Sequence, residues 1–296
     1  MSWHLWLNQA LGRATGFELT RVPRAAKASS PVPDRTSNGR ARTPRPRTSS
    51  DRLLVAPVFI HSSVRSGSTL LRVLLNSHSR LHAPHELHLR SLKVQEENKY
   101  VVKSMRALGL DQRELEHLLW DRILHRELER SGKDVLVNKT PGNAFMWKRI
   151  ARCWPDARFV FLLRHPVSTV ASWQSAHPKW GQADAIADTM RYMKAVEEAR
   201  RGLPGLTVRY EELTAHPREV TQRICDFLGV DWEAGMLDYG NHTHGSFKAG
   251  LGDWTDKIRT GTVQPARPLP EHGEVPAELR DLCVAWGYHK ETSDVV

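Results

Sequence analysis

Hydrophobic and polar positions follow two patterns along this chain, short apolar runs and longer stretches with helical spacing. The first apolar run, residues 56–60, is rich in β-branched and aromatic residues, which is typical of a buried parallel strand. Leucine and valine positions in 70–75 then suit a helix with a wide apolar face. The same order recurs with a strand from Phe159 to Leu163 and a helix opened by Pro166. The pattern predicts repeated units of strand, loop and helix with parallel strands.

Three further stretches have helical spacing. Asp111 and Glu114 form a capping pair for a helix that extends through Arg130. The other two helices are predicted over 184–201 and 217–228. The leucines of the first helix are expected in the core, at positions 115, 118, 119 and 128. Alternating strands and helices over 296 residues favour a single α/β domain with three layers, α/β/α, around a central parallel sheet.

The loop from Ser62 to Thr69 joins the first strand to its helix and carries candidate phosphate-binding groups in a P-loop-like arrangement. Free backbone N–H groups and the helix dipole favour an anion at a helix N-terminus. Gly67 lets the backbone approach a ligand closely, and Arg65 adds a permanent charge with forked donors. Hydroxyl donors are supplied by Ser66, Ser68 and Thr69.

The residues of this loop exclude two common classes of phosphate-binding loop. A nucleoside triphosphatase loop needs a glycine and a lysine where this chain has Ser62 and Ser68. A dinucleotide-binding fingerprint needs several glycines, and this loop holds only one. Taken alone, the segment is equally compatible with a serine-rich turn before an ordinary core helix.

A second anion site is predicted where the strand at 159–163 ends. Arg164 is a cation at the carboxyl end of that strand, and a helix N-terminus with hydroxyl side chains follows it. Two such sites on neighbouring strands of one sheet suit a ligand that is phosphorylated at both ends.

These sites and a third block, LTVRYEELTAHP at 206–217, resemble motifs of the sulfotransferases that use 3′-phosphoadenosine 5′-phosphosulfate. RSGST at 65–69 stands where the cytosolic branch has KSGTTW, and the third block resembles the family's strand ending in Tyr-Glu-Asp-Leu. The resemblance covers roughly residues 53–288. It implies the phosphosulfate as co-substrate, sulfonate transfer to an acceptor hydroxyl, and a mechanism that needs no metal.

The resemblance also implies the nucleotide contacts. Arg164 and Ser172 fall on the residues that hold the 3′-phosphate, and Tyr210 is placed near the nucleotide. Lys257 and Arg259 are candidates for the basic loop that closes over the 3′-phosphate and adenosine, although the cytosolic Arg-Lys-Gly triplet is absent. The 5′-phosphosulfate site is predicted to comprise Arg65, Ser66, Gly67, Ser68, Thr69 and Leu70. Because Leu70 stands where cytosolic relatives place a tryptophan against adenine, adenine stacking must come from elsewhere.

Sulfonate transfer to a hydroxyl needs a general base, which contributes about 10²–10⁴-fold when well placed. In the cytosolic branch a histidine follows Lys-Thr, but here Pro141 takes that position. Glu86 resembles the glutamate used in bacterial and Golgi-type branches and is the predicted base. His85 and His88 are the alternative bases, and a structural hydrogen bond is the alternative role for Glu86.

Fixed cations are the other predicted catalytic device, since one preorganised donor can contribute about 3 kcal/mol to transition-state stabilisation. Arg65 and Lys139 are the two candidates. Lys139 ends the apolar strand VLVNK and precedes Thr-Pro, which is not the usual pattern of a surface lysine.

Other residue types argue against further cofactors. Pro84 interrupts the helix that would group the nearby histidines, so no metal site is predicted from His78, His82, His85 and His88. The cysteines are far apart in the sequence and are interpreted as reduced structural thiols, at positions 153, 225 and 283.

The formal charge of +10 is concentrated at the N-terminus. Residues 1–52 carry a net +7, which leaves +3 for residues 53–296, and no nucleic-acid module accompanies the charge. Residues 1–52 are predicted to form a short amphipathic helix over 3–14, available to a membrane surface, a partner or its own domain, and a disordered basic tether over 24–50. The sulfotransferase-like domain is assigned to 53–296. The protein is expected in the cytoplasm.

Three functions from different classes remain on the sequence alone. The first is sulfonate transfer to a sugar, lipid, peptide or phenolic hydroxyl. A nucleotide-dependent phosphotransferase and a non-catalytic nucleotide-binding protein are the alternatives.

Overall fold

Five parallel strands form one sheet in the computed structural model, which describes residues 52–245, 256–270 and 275–288. The strand order is β2-β3-β1-β4-β5, so the two strands with predicted anion sites, β1 and β4, are neighbours. The strands are β1 (Val58–Ser62), β2 (Leu81–His82), β3 (Val135–Lys139), β4 (Arg158–Leu163) and β5 (Leu206–Arg209).

Helices connect the strands and cover both faces of the sheet. The described residues form α1 (Ser68–Asn76), α2 (Lys99–Ala107), α3 (Gln112–Ser131), α4 (Trp147–Cys153), α5 (Pro166–Ala176), α6 (Gln182–Gly202), α7 (Tyr210–Ala215), α8 (Pro217–Leu228) and α9 (Ala277–Ala285). Within these described segments, no helix combines the length and the apolar character needed to cross a bilayer.

Alternating side chains of the central strands separate two buried layers. Val58 and Ile60 of β1 pack in a cluster with α1 and α8, whereas Phe59 packs with α3 and α4. A third cluster joins the end of β4 at Leu163 to α5, α6 and α9. The predicted three-layer α/β/α domain with a central parallel sheet is therefore confirmed.

The helix predicted after Asp111 is α3, but the prediction of its core face was wrong for three of the four leucines, since Leu128 alone among them packs against a described core cluster. The Asp111 side chain caps the helix by accepting a hydrogen bond from the backbone N of Glu114 (2.8 Å), as expected. Its buried face is largely polar, because Glu114 pairs with Arg52 (2.6 Å) and Asp121 accepts from Nε1 of Trp154 (2.8 Å). The leucines expected in the core are only half-buried, at positions 115, 118, 119 and 128.

Two predicted segments lie outside the described residues, the N-terminal helix over 3–14 and the tether over 24–50. The domain boundary at 52 and 53 therefore stays a prediction.

His61 in β1 is fully buried, with its ring against those of Phe159 (5.6 Å between centroids) and Phe161 (5.9 Å). Neither ring nitrogen has a hydrogen-bond partner among the described residues. Burial lowers the pKa of His61 to about 4, because the protonated ring would lose its hydration without gaining a partner.

We expect His61→Phe to make the protein less sensitive to acid. Below a pH of about 6.5 the unfolded chain protonates His61 while the folded chain does not, so stability falls as the pH falls toward 4. Between about pH 7 and about pH 5, the free energy of unfolding should decrease by about 2 kcal/mol less in the variant than in the parent. Urea denaturation at both pH values measures the difference, and equal losses in the two proteins would contradict the burial of a neutral His61.

Candidate active site

A cavity of about 570 Å³ lies at the carboxyl edge of the sheet. Parallel strands bring their carboxyl ends to one edge, where ligands of open α/β sheets bind. Residues that follow each of the five strands line this cavity, in strand order Glu86, Thr140, Arg65, Arg164 and Tyr210. The structure thus brings together most of the side chains that the sequence predicted.

The loop between β1 and α1 has the geometry of an anion cradle. Gly67 is the N-cap of α1 in the left-handed conformation (φ 85°), and Arg65 has a positive φ of 58°. A non-glycine residue in this region is uncommon and is often found at functional sites. The Ser66 hydroxyl donates to the carbonyl of Ser63 (2.7 Å), so Ser66 stabilises the loop from within. The amide groups of the first turn of α1 remain available to an anion.

Arg164 connects the two predicted anion sites. Its Nη1 donates to the carbonyl oxygen of Arg65 (2.7 Å), and Arg65 Nε donates to the hydroxyl of Ser172 (3.2 Å). The Arg164 guanidinium also lies over the ring of Tyr210, 4.6 Å from its centroid. These interactions hold Arg164 against the backbone of Arg65 and hold Arg65 against Ser172, and all three residues line the cavity.

The environment of Arg164 favours an anionic ligand. Burial lowers the pKa of its guanidinium, and nearby Arg267 adds to this effect, while Tyr210 and Glu211 oppose it. The group stays charged, since an arginine pKa lies far above neutrality. Its Nε is buried with no hydrogen-bond partner in the described chain. An unpaired buried donor on a cation is a position where a phosphate oxygen would be stabilised.

Gly67 also permits the close packing of Tyr210. A Cβ at position 67 would lie 2.2 Å from Cδ2 of Tyr210, which is well inside contact distance. Gly132 has a similar positive φ (67°) with nothing within 4 Å of the same hypothetical atom. Alanine substitutions at these two glycines would share the backbone strain, but only the one at Gly67 would add steric crowding.

We expect Gly67→Ala to destabilise the protein by about 1–3 kcal/mol more than Gly132→Ala. Both variants carry the cost of a left-handed alanine, about 1–2 kcal/mol, but only the first collides with a ring. Denaturation of both variants gives the difference. Equal destabilisation would show that Tyr210 does not pack on the loop.

The predicted base and one predicted cation form a pair. Lys139, at the end of β3, is fully buried, and its Nζ donates to Oε1 of Glu86, whose side chain is 12% exposed. Nε2 of His88 lies 3.8 Å from the other carboxylate oxygen of Glu86. The carboxylate is thus bound by Lys139, has His88 nearby and reaches the cavity wall. His85, the other alternative base, is not among the lining residues.

A buried polar cluster holds the segment that carries Glu86. The Asn76 side chain accepts from the backbone N of Ala83 (2.9 Å), while Arg72 Nη1 donates to the carbonyls of Ala83 (3.1 Å) and His244 (3.3 Å). Both side chains come from α1, the helix of the anion loop. One helix therefore positions both the segment of Glu86 and the loop that the sequence predicts to bind phosphate.

Two predicted nucleotide contacts near the C-terminus are not placed in the cavity wall. Arg259 is exposed and does not line the cavity, and the Lys257 side chain lies outside the described part. Arg267, from the same proline-rich block, lines the cavity instead. Leu70 lies in the wall and is 7% exposed, which is consistent with packing rather than ring stacking.

Sequence reasoning missed several cavity residues. They have no motif spacing, although Trp173 directly follows Ser172 and Arg90 follows the predicted base segment. These residues are Arg90, Trp173, Tyr192 and Arg267.

Among the residues with described positions, no group of three or more His, Cys, Asp or Glu could hold a metal ion.

Comparison with known proteins identifies the family of the chain. Residues 57–234, more than half of the chain, match the sequence profile of the sulfotransferase family. The chain belongs to the sulfotransferase family. The resemblance inferred from its motifs is therefore confirmed, and the chain is a transferase of sulfonate groups.

Individual sulfotransferases are distant from this one. Protein-tyrosine sulfotransferase 1 of Danio rerio is 24% identical over 259 residues, which cover 77% of this chain and 69% of that protein. Nodulation protein NoeE of Sinorhizobium fredii is 28% identical over 220 residues, covering 62% of this chain and 52% of NoeE. The solved sulfotransferase domain from the curacin biosynthetic pathway has a TM-score of 0.60 at 21% identity, covering 80% of this chain and 99% of that domain. The solved domain shares the fold of this chain.

Proposed function

We propose that this sulfotransferase takes the sulfonate group of 3′-phosphoadenosine 5′-phosphosulfate and transfers it to an acceptor hydroxyl, with Glu86 as the general base. The observation that carries the proposal is the pairing of two cationic anion sites, at Arg65 and Arg164, with a carboxylate in one cavity. A ligand phosphorylated at both ends needs both cations, and a hydroxyl acceptor needs the carboxylate.

The cavity fits such a donor. The unpartnered Nε of Arg164 and the amide groups at the start of α1 suit two separate phosphate groups. The hydroxyl of Thr140 is also buried in the cavity wall with no partner in the described chain. Buried polar atoms of this kind are usually satisfied by a ligand or water. We assign the 3′-phosphate to Arg164 and Ser172 and the 5′-phosphosulfate to the loop of Arg65.

The proposed chemistry uses few groups. When bound, the donor supplies a sulfonate on a phosphate leaving group. Glu86 accepts the proton of the acceptor hydroxyl, and the hydrogen bond from Lys139 keeps its carboxylate oriented. Arg65 and Lys139 place positive charge where negative charge develops on the departing phosphate. The ion pair with Glu86 gives Lys139 a positioning role that the sequence did not predict.

The acceptor is proposed only as a class. The relatives named protein-tyrosine sulfotransferases suggest a peptide tyrosine or another phenolic hydroxyl. The aromatic side chains of Trp173 and Tyr192 in the cavity wall are suited to packing on such a ring. We also propose, from the sequence alone, that the protein acts in the cytoplasm.

Calorimetry tests the donor assignment without knowledge of the acceptor. Adenosine 3′,5′-bisphosphate should bind at least about tenfold more tightly than AMP, because only the former has a phosphate for Arg164. Equal affinity for the two nucleotides would contradict the proposal. Magnesium-dependent turnover of ATP would instead support a phosphotransferase.

A further inference from the structure

Helix α2 exposes an unusual number of large apolar side chains. No residue of this helix is buried, and Tyr100 and the C-cap residue Leu108 are 71% and 70% exposed. Positions 100, 104 and 108 are spaced by four residues, so Tyr100, Ser104 and Leu108 share one face, with exposed Val101 beside them. Three of the seven large apolar residues exposed in the described chain therefore belong to one short stripe.

The same helix carries three basic residues and no acidic residue. Lys103 and Arg106 lie beside or opposite the apolar stripe, and the ammonium of Lys99 lies over the ring of Tyr100, 5.4 Å from its centroid. None of the three forms an ion pair with a described carboxylate. A helix with an exposed apolar stripe and an unneutralised basic face is typical of segments that lie in a membrane interface.

Fixed contacts hold the segment that precedes the helix and the helix N-terminus. On the N-terminal side, Trp120 Nε1 donates to the carbonyl of Leu92 (3.3 Å) and Gln112 donates to the carbonyl of Val94 (2.7 Å). The Asn98 side chain then caps the helix by accepting from two backbone N–H groups (3.0 and 3.2 Å). The exposure of the stripe is therefore a property of an ordered helix.

We infer that the stripe on α2 docks on an anionic lipid bilayer surface. The exposed apolar side chains would enter the interface, with Tyr100 at its polar boundary, while the lysines extend their ammonium groups to the lipid headgroups. The charge argues against a second copy of this chain as the occupant, since a twofold contact would bring the same three cations together. This inference is independent of the proposed function.

A fluorophore on the stripe tests the inference directly. The three native cysteines are buried, and burial raises their thiol pKa to about 11 or 12, so a new surface cysteine can be labelled selectively. The full chain with Ser104→Cys, labelled with a polarity-sensitive dye, is mixed with vesicles of phosphatidylcholine and phosphatidylglycerol. Arg122→Cys, on the exposed face of α3, is the matched control.

With the anionic vesicles we expect a blue shift in emission at position 104 and none at position 122, and with pure phosphatidylcholine we expect none at either position. Replacing both Lys99 and Lys103 with Gln should weaken vesicle binding by about tenfold or more. Binding of the chain to anionic vesicles without a shift at position 104 would overturn the inference, because another segment would then make the contact. Absence of any binding would overturn it as well. A shift caused instead by an acidic protein, with none from vesicles, would assign the stripe to a protein partner.

Discussion

Glu86→Gln is expected to lower turnover by about 10²–10⁴-fold while leaving the affinity for adenosine 3′,5′-bisphosphate nearly unchanged. Glutamine is close to glutamate in size and retains an oxygen that can accept a hydrogen bond from Lys139. It cannot accept the proton of an acceptor hydroxyl. The loss should therefore fall on the chemical step, and the two parameters separate catalysis from nucleotide binding.

The control for this variant is Glu97→Gln, which removes an exposed carboxylate outside the cavity. It should retain parental turnover and binding. Initial rates with radiolabelled donor and calorimetry on both variants provide the comparison. If Glu86→Gln kept parental turnover, His88, which lies 3.8 Å from Glu86, would become the leading candidate for the base.

Arg164→Ala is expected to weaken binding of adenosine 3′,5′-bisphosphate by about 10–100-fold, with a much smaller effect on AMP. The substitution removes the cation assigned to the 3′-phosphate and the bond from Nη1 to the Arg65 carbonyl. Arg164→Lys should restore only part of the affinity, because lysine lacks the fork that contacts the loop and a ligand together.

Arg122→Ala, on the exposed face of α3, is the matched control and should bind both nucleotides like the parent. Calorimetric titration of each variant with the two nucleotides measures the selectivity. An equal loss of affinity for both would place Arg164 outside the 3′-phosphate site.

The sequence predicted the frame of the site because strand ends carry strong local signals. In both places a short apolar run is followed by an arginine, Arg65 or Arg164, and then by the start of a helix. This pattern predicts that the arginine lies at the carboxyl end of a strand, where an anion can bind. Parallel pairing of β1 with β4 then brings the two arginines to one edge, as expected. The strand boundary was less accurate, since β1 begins at Val58 rather than at residue 56. Ala56 has a positive φ of 44°, which is incompatible with a strand.

Contacts between side chains that are far apart in the chain could not be predicted from the sequence. The contact between Lys139 and Glu86 joins the end of a strand to a loop 53 residues earlier in the sequence, and no local pattern encodes it. The buried polar face of α3 was missed for a related reason, because periodicity assigns leucines to the core and does not foresee that Arg52 satisfies Glu114. Arg267 was overlooked because a proline-rich block has no period to interpret.

The most direct measurement of the central claim follows radiolabelled sulfonate from 3′-phosphoadenosine 5′-phosphosulfate into a mixture of phenolic, tyrosyl, sugar and lipid hydroxyl compounds, without added metal. We expect a labelled sulfate ester and an equal amount of adenosine 3′,5′-bisphosphate, with formation strongly reduced in Glu86→Gln. Label that stays on the donor with every acceptor, while the terminal phosphate of ATP is transferred instead, would contradict it.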